Sequence, residues 1–231
     1  MQHSIDLSKG GLLTPAELGY YFPAEFAPQK AMWLSWPHKE ESWPGKIQTI
    51  YAPYAQFVKE VAMGQEVHIN VADLAMQAFA VQQLEQAGVR MDRILFHFFP
   101  TNDAWCRDHG PAFLINPAAA IPKVLVKWNY NAWGEKYPPH DLDNQIPIRI
   151  AKALEMPYFS PGIVMEGGSV EFNGKGTLLT SKACLLNPNR NPHLNQEQIE
   201  KYLCDYYGVK HILWVGDGIL GDDTDGHIDD I

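Results

Sequence analysis

A chain of 231 residues, 46% of them hydrophobic, can bury a sizeable core in one domain or one closed array of repeats. Its 18 basic and 27 acidic side chains leave a formal charge of −9, which argues against non-specific nucleic-acid binding and suits a protein that receives cations. Three scattered cysteines, Cys106, Cys184 and Cys204, with no Cys-x-x-Cys, disfavour a zinc site or disulfide framework and fit a reducing compartment.

The amino terminus, Met1 to Asp6, has neither a basic start nor an apolar run, so no signal peptide is expected. No apolar stretch approaches the ~18–20 residues that span a bilayer, and a soluble, cytoplasmic protein without membrane or nucleic-acid partners is expected. In chain order, Ala31–Trp36 reads as a strand, and a helix runs from near Pro53, in its first turn, to Gly64. Glu66–Val71 is a second strand, and Asp73 caps a helix reaching Gly88. Ile94–Phe99, Ala112–Asn116 and Lys123–Asn129 read as further strands, and Asp143–Glu155 as a helix. Ser169–Phe172 and Thr177–Thr180 form a hairpin across Asn173-Gly174-Lys175-Gly176. The pattern is clearest at Gln196–Tyr207: Asn195 and Gln198 form a capping box, Ile199, Leu203 and Tyr206 share a face, and Gly208 ends the helix. His211–Val215 follows as a strand, which completes an α/β chain with short connections.

One regularity overlies these elements. Gly110, Gly168 and Gly226 are 58 and 58 residues apart, each beside a short apolar segment. An acid stands two residues before the first two (Asp108, Glu166) and one before the third (Asp225). Such spacing suggests repeated supersecondary units, each bringing a polar loop to a shared place, although chance alignment of glycines is the competing reading.

Three segments concentrate polar groups: Trp105-Cys106-Arg107-Asp108-His109-Gly110-Pro111, Glu166-Gly167-Gly168-Ser169, and Asp222-Asp223-Thr224-Asp225-Gly226-His227-Ile228-Asp229-Asp230. Carboxylates are seldom buried unless paired, so acids beside apolar strands sit at strand ends or bind something. The plain alternatives are an Arg107–Asp108 pair stiffening a loop, a simple Glu-Gly-Gly turn, and a solvated acidic loop. His227-x-Asp229 would place both side chains on one face of a strand. Gly216-Asp217-Gly218-Ile219-Leu220-Gly221 matches a dinucleotide fingerprint, but Asp222-Asp223 follows in place of a helix start and would repel phosphate. A calcium loop fails as well, since Gly221 stands where the first ligand should be. A metal hydrolase using His227 and Asp229 lacks a second histidine at ligand spacing, and neither metal nor cofactor is expected.

Taken together, several stretches resemble the agmatine deiminases and bacterial peptidylarginine deiminases of the guanidine-modifying superfamily. They include Phe22-Pro23-Ala24-Glu25-Phe26, Trp33-Leu34-Ser35-Trp36-Pro37-His38, Trp43-Pro44-Gly45 and the run from Asn102 to Pro111. Trp128-Asn129-Tyr130-Asn131-Ala132-Trp133-Gly134, the Glu166 turn, Cys184 to Pro192, and Thr224-Asp225-Gly226-His227-Ile228-Asp229 continue it in the family's order. The resemblance implies a pentein-type α/β propeller of five ββαβ units, of which this chain would hold an incomplete set within a single deiminase domain, residues 1–231. It places the nucleophilic cysteine in a glycine-rich segment beyond residue 231.

The implied activity is hydrolysis of agmatine, with peptidylarginine or free arginine as the runner-up substrate. A truncated, non-catalytic guanidinium binder is the contrasting reading, and a homo-oligomer is left open. The residue types suit a guanidinium, which is planar, always charged and best held by carboxylates through paired hydrogen bonds. By resemblance, Asp108 and Asp229 would grip the substrate, His227 would be general acid and base, and Glu166 would orient His227 or neutralise its charge. Trp105 and Trp133 would wall the cleft, or else pack in the core. Asp223 stands where the family commonly has glutamate, which places the substrate preference in question. The three cysteines read as structural, Cys106 pointing away from the chemistry if its segment is extended.

Overall fold

A computed structural model describes residues 5–10 and 13–231, so Met1 to Ser4, on which the signal-peptide expectation rests, lie outside the described residues. The chain forms two compact units. The smaller comprises residues 28–106 and 139–143, and the larger comprises residues up to 27, 107–138 and 144–231.

In the smaller unit, strands β1 (Ala31–Ser35), β2 (Glu66–Val71) and β3 (Ile94–Phe98) form a parallel sheet in that order. Helices α1 (Ile47–Ala62) and α2 (Leu74–Gln86) connect them. Strand alternation sends Val67, Ile69 and Val71 to one face, where they meet Ala55, Val58, Ala62, Ala80 and Leu84 of the helices. The opposite face carries Trp33, His68 and His97, whose rings stack at 4.5–5.0 Å between centroids. Asp73 caps α2 as expected, accepting from the Met76 N–H at 2.8 Å.

The α1 start is a correction. The helix begins at Ile47, so Pro53 lies in its interior and not in its first turn. Proline there removes one helical hydrogen bond. Burial of Ile47, Ala55, Val58 and Ala62 along one face carries the helix past it.

The 102–103 and 141–143 segments clamp each other. Asp143 accepts from the N–H groups of Asn102 (2.7 Å) and Asp103 (3.3 Å), while Asn102 Oδ1 accepts from those of Leu142 and Asp143. Burial lifts the Asp143 carboxyl to about 7, against the pull of those two N–H donors. Its folded value therefore lies above the unfolded value of about 3.9. Asp143 thus contributes stability that is fully present below pH ~3.9 and is lost as pH rises through 7. Asp143→Asn keeps an acceptor oxygen but cannot ionise. The stability of the wild type relative to this variant is expected to fall between pH 4 and 7, by denaturant titration at several pH values. A pH-independent difference would refute the assignment.

The larger unit contains two copies of one motif. Strands β4 (Ala112–Ile115) and β5 (Lys123–Val126) are antiparallel, and β6 (Tyr158–Phe159) joins β5 in parallel after helix Ile146–Ala153. Strands β7 (Val170–Phe172) and β8 (Thr177–Ser181) are antiparallel, and β9 (His211–Val215) joins β8 in parallel after helix Gln196–Tyr207. Each is a ββαβ unit, and their first strands start at Ala112 and Val170, repeating the spacing of Gly110 and Gly168. Leu114, Val124, Val126 and Phe159 of one unit share a core with Val170, Leu178, Ile199, Leu203 and Tyr207 of the other.

Several predicted boundaries shift, most by a single residue. The β5 ladder stops at Val126 and not Asn129, although Lys127 and Asn129 still donate to the Phe159 and Ile163 carbonyls. The hairpin strand begins at Val170, because Gly167–Ser169 is a 3-10 turn. The Asp143 helix splits into a 3-10 turn (Asp143–Gln145) and an α-helix with Pro147 in its first turn. The Asn195–Gln198 capping box and the left-handed Gly208 (φ 68°) are present as expected.

Candidate active site

Both glycine-linked turns of the larger unit converge with the 222–230 loop. Arg107 to His109 lie in a one-turn helix, Cys106–His109, so this segment is not extended. Cys106 Sγ lies 3.0 Å from Ser35 Oγ, and burial pushes its thiol up to about 12, in keeping with a structural cysteine.

Asp108 is buried. Its Oδ1 accepts from the Gly168 N–H at 3.0 Å and its Oδ2 from the Trp133 indole at 3.1 Å. His227 Nδ1 lies 3.5 Å from Asp108 Oδ1 and 3.8 Å from Asp229 Oδ1. His227 Nε2 is buried and makes no hydrogen bond among the described residues. Gly168 is the floor of this cluster. A Cβ there would lie 2.5 Å from His227 Nδ1 and 2.8 Å from both Asp108 Oδ1 and Asp229 Oδ2.

Trp133 reaches Asp108 through an unusual backbone. Ala132, Trp133, Gly134 and Glu135 all have positive φ, from 51° to 83°, a left-handed turn that costs roughly 1–2 kcal/mol for each non-glycine residue. The Asn131 side chain restrains it, accepting from the Gly134 N–H at 2.9 Å and donating to the Asn189 carbonyl at 3.0 Å. Gly134 presses on the Asn189 side chain where a Cβ would collide.

Arg107 does not pair with Asp108, contrary to the plain reading of that dipeptide. Its guanidinium binds Glu25 and Glu171 at 2.7 Å each, and Asp229 at 3.2 Å. Nor is His227-x-Asp229 on a strand. Asp222 gathers the N–H groups of Thr224 and Gly226 and the Thr224 hydroxyl, while Asp225 and Gly226 take left-handed φ. That tight turn leads into a 3-10 turn, Ile228–Asp230, and still brings both side chains toward Asp108.

Glu166 is fully buried, as is the Arg190 side chain whose Nε donates to it at 2.6 Å. Residue order gives no signal for Arg190 beyond its place in a motif, because its carboxylate partners lie 24 and 35 residues away.

Burial raises the carboxyls of Asp108, to about 6, and of Glu166 and Asp229. Burial lowers His227, against the attraction of Glu166 and Asp229. Burial thus works against charge at each of these groups, and a cation entering among the acids would favour their ionised forms. Ligand atoms of Glu166, Cys184 and His227 lie within 4.8 Å of one another, and so do those of His227, Asp229 and Asp230. Cationic Arg190 on Glu166 and Arg107 on Asp229 oppose a divalent ion at either set, so neither fits a metal site.

Of the sequence-predicted residues, Asp108, Trp133, Glu166, His227 and Asp229 come together. Asp223 is engaged otherwise: its Oδ2 accepts from the Tyr137 hydroxyl at 2.6 Å, and its carbonyl from Lys136. Trp105 belongs to the smaller unit, where it stacks on Trp43 at 5.6 Å. Among the described residues, no helix is long and apolar enough to cross a membrane.

Solved structures with the same fold include agmatine deiminases. That of Enterococcus faecalis matches 99% of this chain and 60% of its own, with 33% identity and a TM-score of 0.87. The Campylobacter jejuni C315S enzyme, solved with substrate bound, matches 90% of this chain and 60% of its own, with 32% identity and a TM-score of 0.79. The agmatine deiminase of Pseudomonas syringae pv. tomato is 39% identical over 94% of this chain and 58% of its own length. This chain thus has the pentein-type α/β propeller fold of the guanidine-modifying deiminases. Residues 21–231 match the Porphyromonas-type peptidyl-arginine deiminase family, and the chain belongs to that family. It spans about 58–61% of the length of the curated relatives it matches.

Proposed function

We propose that the protein containing this chain hydrolyses agmatine to N-carbamoylputrescine and ammonia, and that residues 1–231 form part of one deiminase domain. The observation carrying this reading is the histidine between two carboxylates, one buried and one open to solvent, with His227 Nδ1 3.5 Å from Asp108 and 3.8 Å from Asp229. A guanidinium among those acids satisfies both and favours their ionised forms.

Asp108 and Asp229 hold the substrate nitrogens. A cysteine thiolate from beyond residue 231 forms a bond to the guanidinium carbon. The C–N bond then breaks, and His227 gives its proton to the departing ammonia. His227 next takes a proton from water, which adds to the carbon of the thiouronium and expels the thiolate. Glu166 supports the imidazolium form of His227, and Trp133 fixes Asp108 and walls the cleft.

The test compares kcat/KM of the full-length protein for agmatine, free arginine and a peptidylarginine. Agmatine is expected to exceed both by at least about tenfold, a preference of roughly 1.4 kcal/mol. Faster turnover of peptidylarginine would overturn the substrate assignment.

A further inference from the structure

Arg190 supports this site without facing the acids proposed to hold substrate. Its side chain is wholly buried. Nε donates to Glu166 Oε1 at 2.6 Å, Nη1 to Asp225 Oδ2 at 2.6 Å and Asn189 Oδ1 at 2.7 Å, and Nη2 to the Thr224 carbonyl at 2.9 Å. One planar cation thus ties the Glu166 turn to the backbone and side chain immediately before Gly226-His227. Asp225 is further held by Lys136 at 2.7 Å and by Asn189 at 3.1 Å.

We propose that Arg190 is a positioning residue that fixes Glu166 and the His227 loop as one rigid charge arrangement. The proposal rests on the proposed role of His227 as general acid and base.

Three observations support it. First, stability alone does not call for a buried ion pair, since apolar replacements of such pairs are often neutral or stabilising. Second, the geometry demands a fork: Nε and Nη1 serve carboxylates from separate loops, which a lysine cannot reproduce. Third, Oε1 of Glu166 is taken by Arg190 and Oε2 lies 3.9 Å from Cys184 Sγ, while a carboxylate oxygen of Glu166 is within 4.8 Å of a His227 ring nitrogen. Without Arg190, the buried Glu166 would hold its proton more tightly and cease to support a charged His227. The other charged groups acting on His227 are Asp108, Asp229 and Asp222, which favour its charged form, and Arg190 itself, which opposes it by less than Glu166 favours it; loss of Arg190 therefore moves His227 downward only by letting Glu166 take up a proton.

The experiment uses the full-length protein with Arg190→Gln, Arg190→Lys and Glu166→Gln. The His227 imidazole is titrated by NMR without substrate, and kcat and KM are measured with agmatine. Arg190→Gln is expected to shift the His227 titration downward and to cut kcat by roughly 100-fold with KM changed less than about threefold. Arg190→Lys should fall between this variant and wild type, and Glu166→Gln should reproduce the downward shift. If Arg190→Gln does not fold, Arg190→Lys and Glu166→Gln decide the matter by the same readouts. An unmoved His227 titration in folded variants, or a loss confined to KM, overturns the proposal. Should wild type fail to turn over agmatine, the substrate reading falls while the His227 titration still tests Arg190.

Discussion

Asp108→Asn in the full-length protein is expected to lower kcat/KM for agmatine by roughly 10³-fold, about 4 kcal/mol of transition-state stabilisation. The carboxylate is buried and accepts from Gly168 N–H and the Trp133 indole. An asparagine can keep one of those bonds, but its amide NH2 then faces the other donor, and it brings no charge to a guanidinium. The pH dependence provides a second signature. Burial lifts Asp108 to about 6, so wild-type kcat/KM should fall as pH drops through about 6 and a protonated acid meets a cationic substrate. In the complex the substrate's charge pulls this acid down, so the limb in kcat should lie at lower pH than the limb in kcat/KM. Steady-state kinetics from pH 4.5 to 8 checks both. A variant within threefold of wild type at neutral pH would remove Asp108 from the site.

Gly168→Ala is the second change with a large expected effect. The added methyl would stand 2.5 Å from His227 Nδ1 and 2.8 Å from the nearest oxygens of Asp108 and Asp229, so all three must move. Displacements near 1 Å in a reacting geometry cost about 10²-fold. A kcat loss of that size or more is expected, with a melting temperature lowered by only a few degrees. Gly216→Ala is the matched control, because a Cβ there meets nothing within 4 Å. If Gly168→Ala retains wild-type kcat, the cluster at residues 108, 227 and 229 is not where the chemistry happens.

What could be read from the sequence was local. Asn195 and Gln198 announce a helix start within four residues, and Asn173 to Gly176 announce a hairpin, because the deciding hydrogen bonds are made by near neighbours. The glycine spacing suggests repeated units for the same reason, since each unit repeats one local design, whereas their ββαβ form is implied only by the family resemblance. The α1 start departs from the first-turn preference of proline because burial of Ile47, which only the folded sheet supplies, extends the helix ahead of Pro53. The 3-10 turn at Ile228–Asp230 and the left-handed turn after Asn131 depend on side chains of Asp222, Asn131 and Asn189 finding particular backbone groups. The Glu166–Arg190 bond spans 24 residues, and Arg107 reaches Glu25 across 82. Nothing in residue order signals such pairings, although the polar clusters they serve were visible.

The repeated units hold a division of labour. Asp108 and Glu166 occupy equivalent places, each two residues ahead of the glycine that opens its unit. Duplication alone would make them interchangeable. Their neighbours break that symmetry: neutral N–H donors surround one acid, and a permanent cation seals the other. The first is left with charge to offer a visitor, and the second has spent its charge inside the protein. Two copies of one corner thus serve as a socket and its fastening, and what separates them is the company each acid keeps.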